Sequence, residues 1–476
     1  MRTLVPLRAD TLAQVGARVP VPAYNRTRLT AGVLHFGVGG FHRAHEAMYQ
    51  DRLLSAGGSL GWAICGVGVM PRDRSMRDAL SAQDRLYTLM IKHGDGTHHA
   101  RVIGSIVEYL FAPDDREAVI EKMASEEIRI VSLTITEGGY DLANDPTPRA
   151  GTWGLIAEAL GRRRARGLEP FTVMSCDNLQ GNGRVARTAL TTVAGLDDPK
   201  LADWIDEKVS FPNTMVDRIT PITTDADRVA IRDRFGVEDR WPVVCEPFVQ
   251  WVLEDDFSAG RPPYETAGVQ VVPDVAPYEM MKVRLLNGSH QALAYFAYLC
   301  GYRLVHEAVQ DELLRRFLRG YMREEVAPTL RPVPGVDLEH YQDQLIERFS
   351  NAAVRDTVAR LCEASSDRIP AFVFPAIRDQ LAGGGELKRS AAVVASWARY
   401  AEGVDERGDP IAIVDRRAEV LTGRALRQRG DPDAFLADRE LFDGLPDDER
   451  FVQAYREALA SLHANGARAT LAALEG

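Results

Sequence analysis

The chain has 476 residues, more than one hydrophobic core usually supports, so two domains are expected. Its 45% hydrophobic and 26% charged residues are typical of a soluble globular protein. The net charge of -11 argues against a nucleic-acid or an anionic-membrane partner, because both require a basic face.

The cysteines and the N-terminus indicate the compartment. Five scattered cysteines, an odd number without metal-ligand spacing, predict neither a disulfide framework nor a structural zinc site. The first residues contain no apolar segment of signal-peptide length, and no run reaches membrane-spanning length. We therefore expect a cytoplasmic protein without a membrane partner.

Short apolar runs typical of β-strands alternate with helical stretches from about residue 32. The predicted elements are strands at 33–36, 62–69, 129–135 and 171–175, a hairpin of 87–91 with 100–103, and a helix over 43–56. Continuous apolar strands separated by helices predict a parallel, doubly wound α/β sheet.

After Pro221 the pattern changes. Apart from short strand-like runs at 241–245 and 269–272, residues 280–476 have mainly the pattern of amphipathic helices. We predict an α/β domain over 1–225 and a mainly helical domain over 226–476.

A glycine turn joins the first predicted strand to the first predicted helix. Its residues are Gly37, Val38, Gly39, Gly40 and Phe41. Glycines at this place let the backbone approach a pyrophosphate, which the helix N-terminus then stabilises. The match to G-x-G-x-x-G is partial, because His42 occupies the third glycine position. The strand-turn-helix context favours a Rossmann-like nucleotide domain.

The acidic residue that would bind the ribose lies near the end of the second strand, where the candidate is Asp73. Locally, Asp73 could equally cap the helix that follows it. An aspartate repels the 2′-phosphate of NADP, whereas the adjacent Arg72 would attract it. Asp73 therefore implies NAD, and Arg72 leaves NADP as the alternative.

Polar residues follow two further predicted strands. Glu137 lies in the segment 134–140, and Asn178 lies in the segment 175–182. Either segment could be only a turn, because Asn, Asp and Gly favour turns. Ligands bind outside the carboxyl ends of strands in a doubly wound sheet, so the two segments together predict a site.

The segment 278–290 places Lys282, Asn287 and His290 in what otherwise has the pattern of a buried helix. At about 100° per residue, Asn287 lies about 140° and His290 about 80° around the axis from Lys282, so one arc can carry all three. Burying these groups is costly unless a polar ligand lies among them. The alternative is a helix-end lysine, a solvated asparagine and a core histidine.

Two other classes of function remain as alternatives. His42 and His45 could be two ligands of a metal-dependent hydrolase, but no carboxylate or third histidine is placed to complete the site. We therefore predict no metal. The other alternative is a nucleotide-binding protein that has lost its catalytic chemistry.

Several strings in this order resemble the polyol-specific long-chain dehydrogenases. They are Gly-Val-Gly-Gly-Phe-His-Arg-Ala-His at 37–45, Thr-Glu-Gly-Gly-Tyr at 136–140, Ser-Cys-Asp-Asn at 175–178, Asp-Arg-Ile-Thr-Pro at 217–221 and K-x4-N-x2-H at 282–290. The resemblance covers essentially the whole chain. It implies a monomeric, zinc-independent enzyme that interconverts a polyol and a ketose with NAD, D-mannitol and D-fructose being the expected pair. A fructuronate reductase or an arabinitol dehydrogenase of the same family is the alternative.

The resemblance also implies roles for particular residues. Lys282 matches the catalytic base, and Asn178 and Asn287 match the amides that hold the reacting oxygen. His290 matches a residue that orients the substrate. This agrees with the chemistry, since alcohol oxidation without a metal requires a base and donors to the developing alkoxide.

Five further positions are implied in the same way. Glu137 and Glu279 match carboxylates linked to proton passage between the site and solvent. Asp217, Arg360 and Arg368 match positions that contact the far hydroxyls of the polyol. At Arg368 a lysine would be expected, so the hydrogen-bonding geometry there differs from the family pattern.

Overall fold

A computed structural model describes residues 3–57, 60–142 and 147–475. The chain divides into two compact units, Met1–Ala276 and Pro277–Gly476. The division does not lie at 225/226 as predicted, so residues 226–276, which we assigned to the helical domain, belong to the first unit. The physical reason is strand pairing, since four strands within 226–276 pair with one another or with earlier strands of the first unit.

The first unit is built on a parallel sheet of five strands in the order β6-β3-β2-β7-β8. The strands of the unit are β1 (Val5–Pro6), β2 (Ala31–Phe36), β3 (Ala63–Gly68), β4 (Tyr87–Lys92), β5 (His98–Ile103), β6 (Ile106–Phe111), β7 (Ile130–Leu133), β8 (Thr172–Ser175), β9 (Thr214–Asp217), β10 (Val237–Glu238), β11 (Val243–Cys245), β12 (Gln250–Glu254) and β13 (Gln270–Val272). The predicted parallel sheet is therefore confirmed, with β6 as an edge strand that the sequence analysis missed.

Helices cover both faces of this sheet. The helices of the first unit are α1 (Leu12–Gly16), α2 (Gly40–Ala44), α3 (Glu46–Ser55), α4 (Arg74–Ser81), α5 (Arg116–Ala124), α6 (Thr152–Ala165), α7 (Asn182–Gly195), α8 (Pro199–Lys208) and α9 (Asp225–Phe235). Successive residues of a strand point to opposite faces. Leu34 and Phe36 accordingly pack with α5–α8, whereas Val33 packs with α3. This alternation explains why the strands of the sheet are continuous apolar runs.

Three smaller sheets complete the first unit. The predicted hairpin is present, because β4 and β5 pair antiparallel, and β11 adds to β4 in parallel. The strand β12 pairs antiparallel with β9 and parallel with β13, and β1 pairs with β10. Short 3₁₀ turns lie at Ala9–Thr11, Arg26–Arg28, Leu60–Trp62, Pro71–Asp73, Glu137–Tyr140 and Tyr264–Ala267.

The second unit is helical, as predicted. Its helices are α10 (Ala276–Met281, which begins at the division), α11 (Gly288–Leu299), α12 (Val305–Gln310), α13 (Glu312–Gly320), α14 (Leu338–Phe349), α15 (Val358–Cys362), α16 (Ser365–Phe372), α17 (Phe374–Gly383), α18 (Lys388–Tyr400), α19 (Ala418–Ala425), α20 (Arg439–Phe442) and α21 (Glu449–Leu474). Two π-helical segments, Lys282–Asn287 and Tyr321–Val326, interrupt the α-helical pattern, and 3₁₀ turns lie at Ala327–Thr329 and Leu445–Asp447.

The core of the second unit forms around α11 and α18. Residues 292–297 of α11 are fully buried, and α18 packs against both α11 and α21. Among the residues that the structure describes, no helix combines the length and the apolarity needed to cross a membrane.

Candidate active site

The glycine turn follows β2 and leads into α2, as the sequence predicts. Gly37 has φ +91°, and a Cβ there would lie 2.1 Å from the carbonyl oxygen of Thr134, so this position requires glycine. The Thr134 hydroxyl donates to the Gly37 carbonyl at 2.7 Å. Gly39 is exposed and precedes the first residue of α2, Gly40, while Val38 is buried beside β3. The turn therefore presents backbone at the helix start and is braced from the end of β7.

Buried polar side chains lie next to this turn. The rings of His35 and His42 stack at 3.5 Å, and Nδ1 of each lies 3.0–3.3 Å from a carboxylate oxygen of Glu46. His35 also lies 2.8 Å from Ser132 Oγ. Burial lowers the pKa of His42 to about 3. We predicted that no carboxylate or third histidine lies near this pair, and for His42 that was wrong, because His35 and Glu46 lie beside it. The missed signal was the four-residue spacing of His42 and Glu46 at the helix start.

This trio is a weak metal centre despite its residue types. Its three ligand atoms lie within 4.8 Å of one another. However, the two imidazoles are stacked with an interplanar angle of 19°, so their in-plane lone pairs run nearly parallel instead of converging on one ion. His45, the other histidine of the proposed pair, donates from Nε2 to the Gln250 carbonyl at 2.8 Å, and its ring stacks on Phe41.

Asp73 lies just beyond the end of β3. Its carboxylate accepts hydrogen bonds from the backbone N–H groups of Val69 and Met70, at 3.1 and 3.0 Å. Both bonds use Oδ2, so the side chain holds the loop after β3 and does not cap α4. Arg72 is exposed. The two arginines of α4, Arg74 and Arg77, are paired with Asp114.

The predicted residues of the two strand-end segments lie in adjacent loops. Glu137 is exposed and begins the 3₁₀ turn Glu137–Tyr140 after β7, and Asn178 is exposed after β8. The neighbouring strands β7 and β8 bring these loops together. Asp177, to which we assigned no role from the sequence, accepts hydrogen bonds across the two loops, from the N–H groups of Ile135 and Thr136.

Asp217 belongs to a different sheet of the first unit. It is the last residue of β9, only 4% exposed, and pairs in register with Gln250 of β12. The adjacent Arg218 donates to the carbonyl oxygens of Ala44 and Glu246. Burial lowers the pKa of His45 to about 4, although the Asp217 carboxylate opposes this shift. Asp217 is thus held close to His45, and not at the end of the five-stranded sheet.

In the second unit, Lys282 and Asn287 are the first and last residues of a π-helical segment. The Gly288 N–H donates to the carbonyl of Val283, five residues earlier. Each π turn contains more than four residues, so residues five apart lie closer together around the axis than in an α-helix. The 140° separation expected for an α-helix is therefore wrong for this segment, and the two side chains are nearer neighbours than predicted.

The π segment is held from several sides. Arg284 donates to Thr329 and to Asp379, each at 2.6–2.7 Å. A Cβ on Gly288 would lie 3.0 Å from Tyr321 Oη, so the two π segments pack closely. Lys282 is 8% exposed and Glu279, one turn before it, is 6% exposed.

His290, Arg360 and Arg368 belong to the second unit, where the charges of His290 and Arg360 both act on Asp356. The ring of His290 packs on Phe349, with centroids 4.4 Å apart. Arg360 makes a bidentate pair with Asp356 at 2.7 and 2.5 Å, and Arg368 donates to the Arg360 carbonyl at 2.8 Å. Burial raises the pKa of Asp356, but Arg360 and His290 outweigh burial and the net shift is downward. Asp356, four residues before Arg360, was not assigned from the sequence.

Comparison with known families decides the class of the protein. Residues 31–266 match the model of the mannitol dehydrogenase Rossmann domain, and residues 274–463 match the model of the mannitol dehydrogenase C-terminal domain. This chain belongs to the mannitol dehydrogenase family. The expected family, the Rossmann-like fold and the expected enzyme class, a polyol dehydrogenase, are confirmed.

Individual members of the mannitol dehydrogenase family are similar over nearly the whole chain. A mannitol 2-dehydrogenase of Aspergillus fumigatus is 46% identical, covering 98% of this chain and 99% of the relative. A solved mannitol 2-dehydrogenase of Pseudomonas fluorescens, in ternary complex with NAD and D-mannitol, is 47% identical with a TM-score of 0.89 and covers 99% of both chains. A solved, substrate-free D-sorbitol dehydrogenase is 36% identical with a TM-score of 0.90, covering 98% of this chain and all of its own.

Proposed function

We propose that this protein oxidises D-mannitol to D-fructose, and reduces fructose in reverse, with NAD as cofactor and without a metal. Lys282 is the general base, Asn178 and Asn287 hold the reacting oxygen, and His290 orients the substrate. The observation that supports the proposal is the π segment that begins at Lys282 and ends at Asn287, because residues five apart in a π turn lie close together around the axis. The likeness to a relative solved with NAD and D-mannitol supports the choice of ligands.

The residues of the first unit fit a dinucleotide. Gly37 lets the chain turn against Thr134, Gly39 leaves space for the close approach of a phosphate, and the N-terminus of α2 follows directly. Asp73 stands at the end of β3, where an acidic side chain binds the ribose in this fold. Bound NAD would supply the hydride acceptor.

The chain itself supplies the proton chemistry. The Lys282 amine takes the hydroxyl proton of the polyol during oxidation, and its ammonium returns a proton during ketose reduction. The side-chain N–H groups of Asn178 and Asn287 donate to the oxygen as negative charge develops on it. Glu137 and Glu279 pass the proton between the amine and solvent.

The paired arginines favour a neutral polyol over a sugar acid. A carboxylate clamp requires a guanidinium whose charge is unbalanced, whereas Arg360 is in bidentate contact with Asp356. Arg368 is partly engaged by a backbone carbonyl. We therefore expect turnover with fructose to exceed turnover with fructuronate. Initial rates of NADH oxidation with both ketoses, and of NAD reduction with mannitol, sorbitol and arabinitol, test this expectation, and a preference for fructuronate would contradict it.

The role of Lys282 is tested by Lys282→Ala. We expect kcat for mannitol oxidation to fall by about 10²–10⁴-fold, because general-base catalysis contributes that much. Asn287→Ala should lower kcat by about 10²–10³-fold, as expected for loss of one oxyanion donor. Lys200→Ala, which changes an exposed lysine of α8, is the matched control. Steady-state rates at saturating NAD measure all three.

Two results would overturn the proposal. One is Lys282→Ala with turnover close to that of the wild type. The other is activity that disappears on treatment with a chelator and returns with zinc, which would place a metal in the mechanism and make the trio of His35, His42 and Glu46 the first place to look for it.

A further inference from the structure

The carboxylate of Asp177 connects the two loops that follow β7 and β8. Its Oδ1 accepts the N–H of Thr136 at 2.7 Å, and its Oδ2 accepts the N–H of Ile135 at 3.1 Å. Oδ2 also accepts the hydroxyl of Tyr140 at 2.7 Å. The Asp177 side chain is 6% exposed, so these bonds are made largely out of water.

Tyr140 extends this connection back to β8. Its hydroxyl lies 2.6 Å from Ser175 Oγ. Because the single phenolic proton is donated to Asp177, the Ser175 hydroxyl donates to the tyrosine oxygen. The Tyr140 ring packs edge-on against Trp153, whose indole N–H donates to the Gly139 carbonyl at 2.7 Å. The loop after β7 is thus held at both of its ends.

The backbone between these anchors is strained. Thr136 has φ +65° and ψ 167°, a conformation that residues other than glycine rarely adopt. Its N–H is the donor in the shortest backbone bond to Asp177. A non-glycine residue keeps such a conformation only when its surroundings impose it. Here the Asp177 carboxylate holds the two N–H groups that lead into this conformation, those of Ile135 and Thr136.

The strained residue and the carboxylate each precede a residue of the proposed site. Thr136 is followed by Glu137, and Asp177 is followed by Asn178. A change in the hydrogen bonds of Asp177 would therefore move the backbone of Glu137 and the backbone of Asn178 together. Such small displacements of groups that act on a substrate lower turnover strongly, because turnover depends on close alignment.

We propose that Asp177 is a positioning residue that sets the loop of Glu137 against the loop of Asn178. This inference rests on the proposed function, since it assumes that Glu137 and Asn178 act in the reaction. Asp177 itself touches neither substrate nor cofactor in this role.

The test compares Asp177→Asn with Tyr140→Phe in the full-length enzyme. Asparagine has the same size but replaces one acceptor oxygen by a donor that faces an N–H or O–H group. We expect Asp177→Asn to lower kcat by about ten- to a hundredfold, with the KM for NAD changed by less than about twofold. Tyr140→Phe removes one of the three donors, so it should cause a smaller fall in kcat. Asp197→Asn, which changes a 67% exposed side chain of the same unit, is the control.

A third variant separates positioning from relief of strain. In Asp177→Asn/Thr136→Gly, glycine adopts the positive φ at little cost, so the thermal midpoint should recover toward that of the wild type. Because the link between the loops is still broken, kcat should stay low. Recovery of both the midpoint and kcat would overturn the positioning role.

The remaining outcomes are also decisive. A kcat for Asp177→Asn within about twofold of the wild type overturns the inference. If that variant does not fold, Tyr140→Phe carries the test, and an unchanged kcat in it overturns the inference. Lys282→Ala, assayed in parallel, tells the two proposals apart, because retained activity there contradicts the proposed function and lost activity leaves only the role of Asp177 in question.

Discussion

At the scale of single residues, cofactor choice depends on the charges next to Asp73. One carboxylate oxygen of Asp73 already accepts two backbone N–H groups of its own loop. Arg74 and Arg77 are both paired with Asp114, and Arg77 also with Asp78, whereas Arg72 is exposed. The negative charge of Asp73 and the positive charge of Arg72 therefore act in opposite directions on a 2′-phosphate.

This balance predicts the effect of Asp73→Asn. Asparagine keeps one oxygen that can accept the loop N–H groups but removes the charge that repels a 2′-phosphate. We expect the ratio of kcat/KM for NADP to that for NAD to rise by about ten- to a hundredfold. Adding Arg72→Ser should reverse most of this gain. Kinetics with both cofactors measure the effect, and an unchanged ratio would show that Asp73 lies away from the ribose.

At the scale of elements, the helix start after the glycine turn carries neutral buried imidazoles. Burial lowers the pKa of His42 to about 3 and that of His45 to about 4. Both values lie below that of a free imidazole, about 6.5. Between the folded and the unfolded pKa, the unfolded chain binds protons that the folded chain does not. The contribution of these two histidines to the free energy of unfolding is therefore fully present above about pH 6.5, and it decreases as the pH falls.

The variant His42→Gln tests this dependence on pH. Between pH 6 and pH 5, we expect the wild type to lose about 1 kcal/mol more unfolding free energy per pH unit than the variant, since one titrating group has been removed. Tryptophan fluorescence in urea is a suitable probe, because five of the six tryptophans lie in the first unit. The exposed His340→Gln is the control. Parallel losses in His42→Gln and the wild type would refute the assignment of a neutral buried imidazole.

At the scale of the whole molecule, we predict a monomer in solution, as the family resemblance implies. The net charge of -11 adds mutual repulsion between copies of the chain. Light scattering coupled to size exclusion should therefore give a mass near 52.6 kDa. Measuring at several protein concentrations and at low and high salt separates weak association from a stable oligomer. A mass of twice this value that does not change with concentration would contradict the prediction.

The local patterns were sufficient for most elements of the sheet. The strands β2, β3, β7 and β8 were predicted because they are buried on both faces and so consist of continuous apolar residues. The edge strand β6 was missed because its four central residues are only half-buried and include Glu108, which weakens the apolar pattern. The boundary between the units was placed too early, because short strands such as β12 are recognisable only from their partners.

By itself, the sequence determined the parallel sheet, the glycine turn, the helical second unit and the residue types from which the family follows. These depend on periodicity and on the order of motifs along the chain. Tertiary structure alone decided the π-helical spacing of Lys282 and Asn287, the cluster of His35, His42 and Glu46, and the bonds of Asp177. The π turn depends on how the helix winds after folding, and the other two depend on contacts between residues far apart along the chain, such as Thr136 and Asp177.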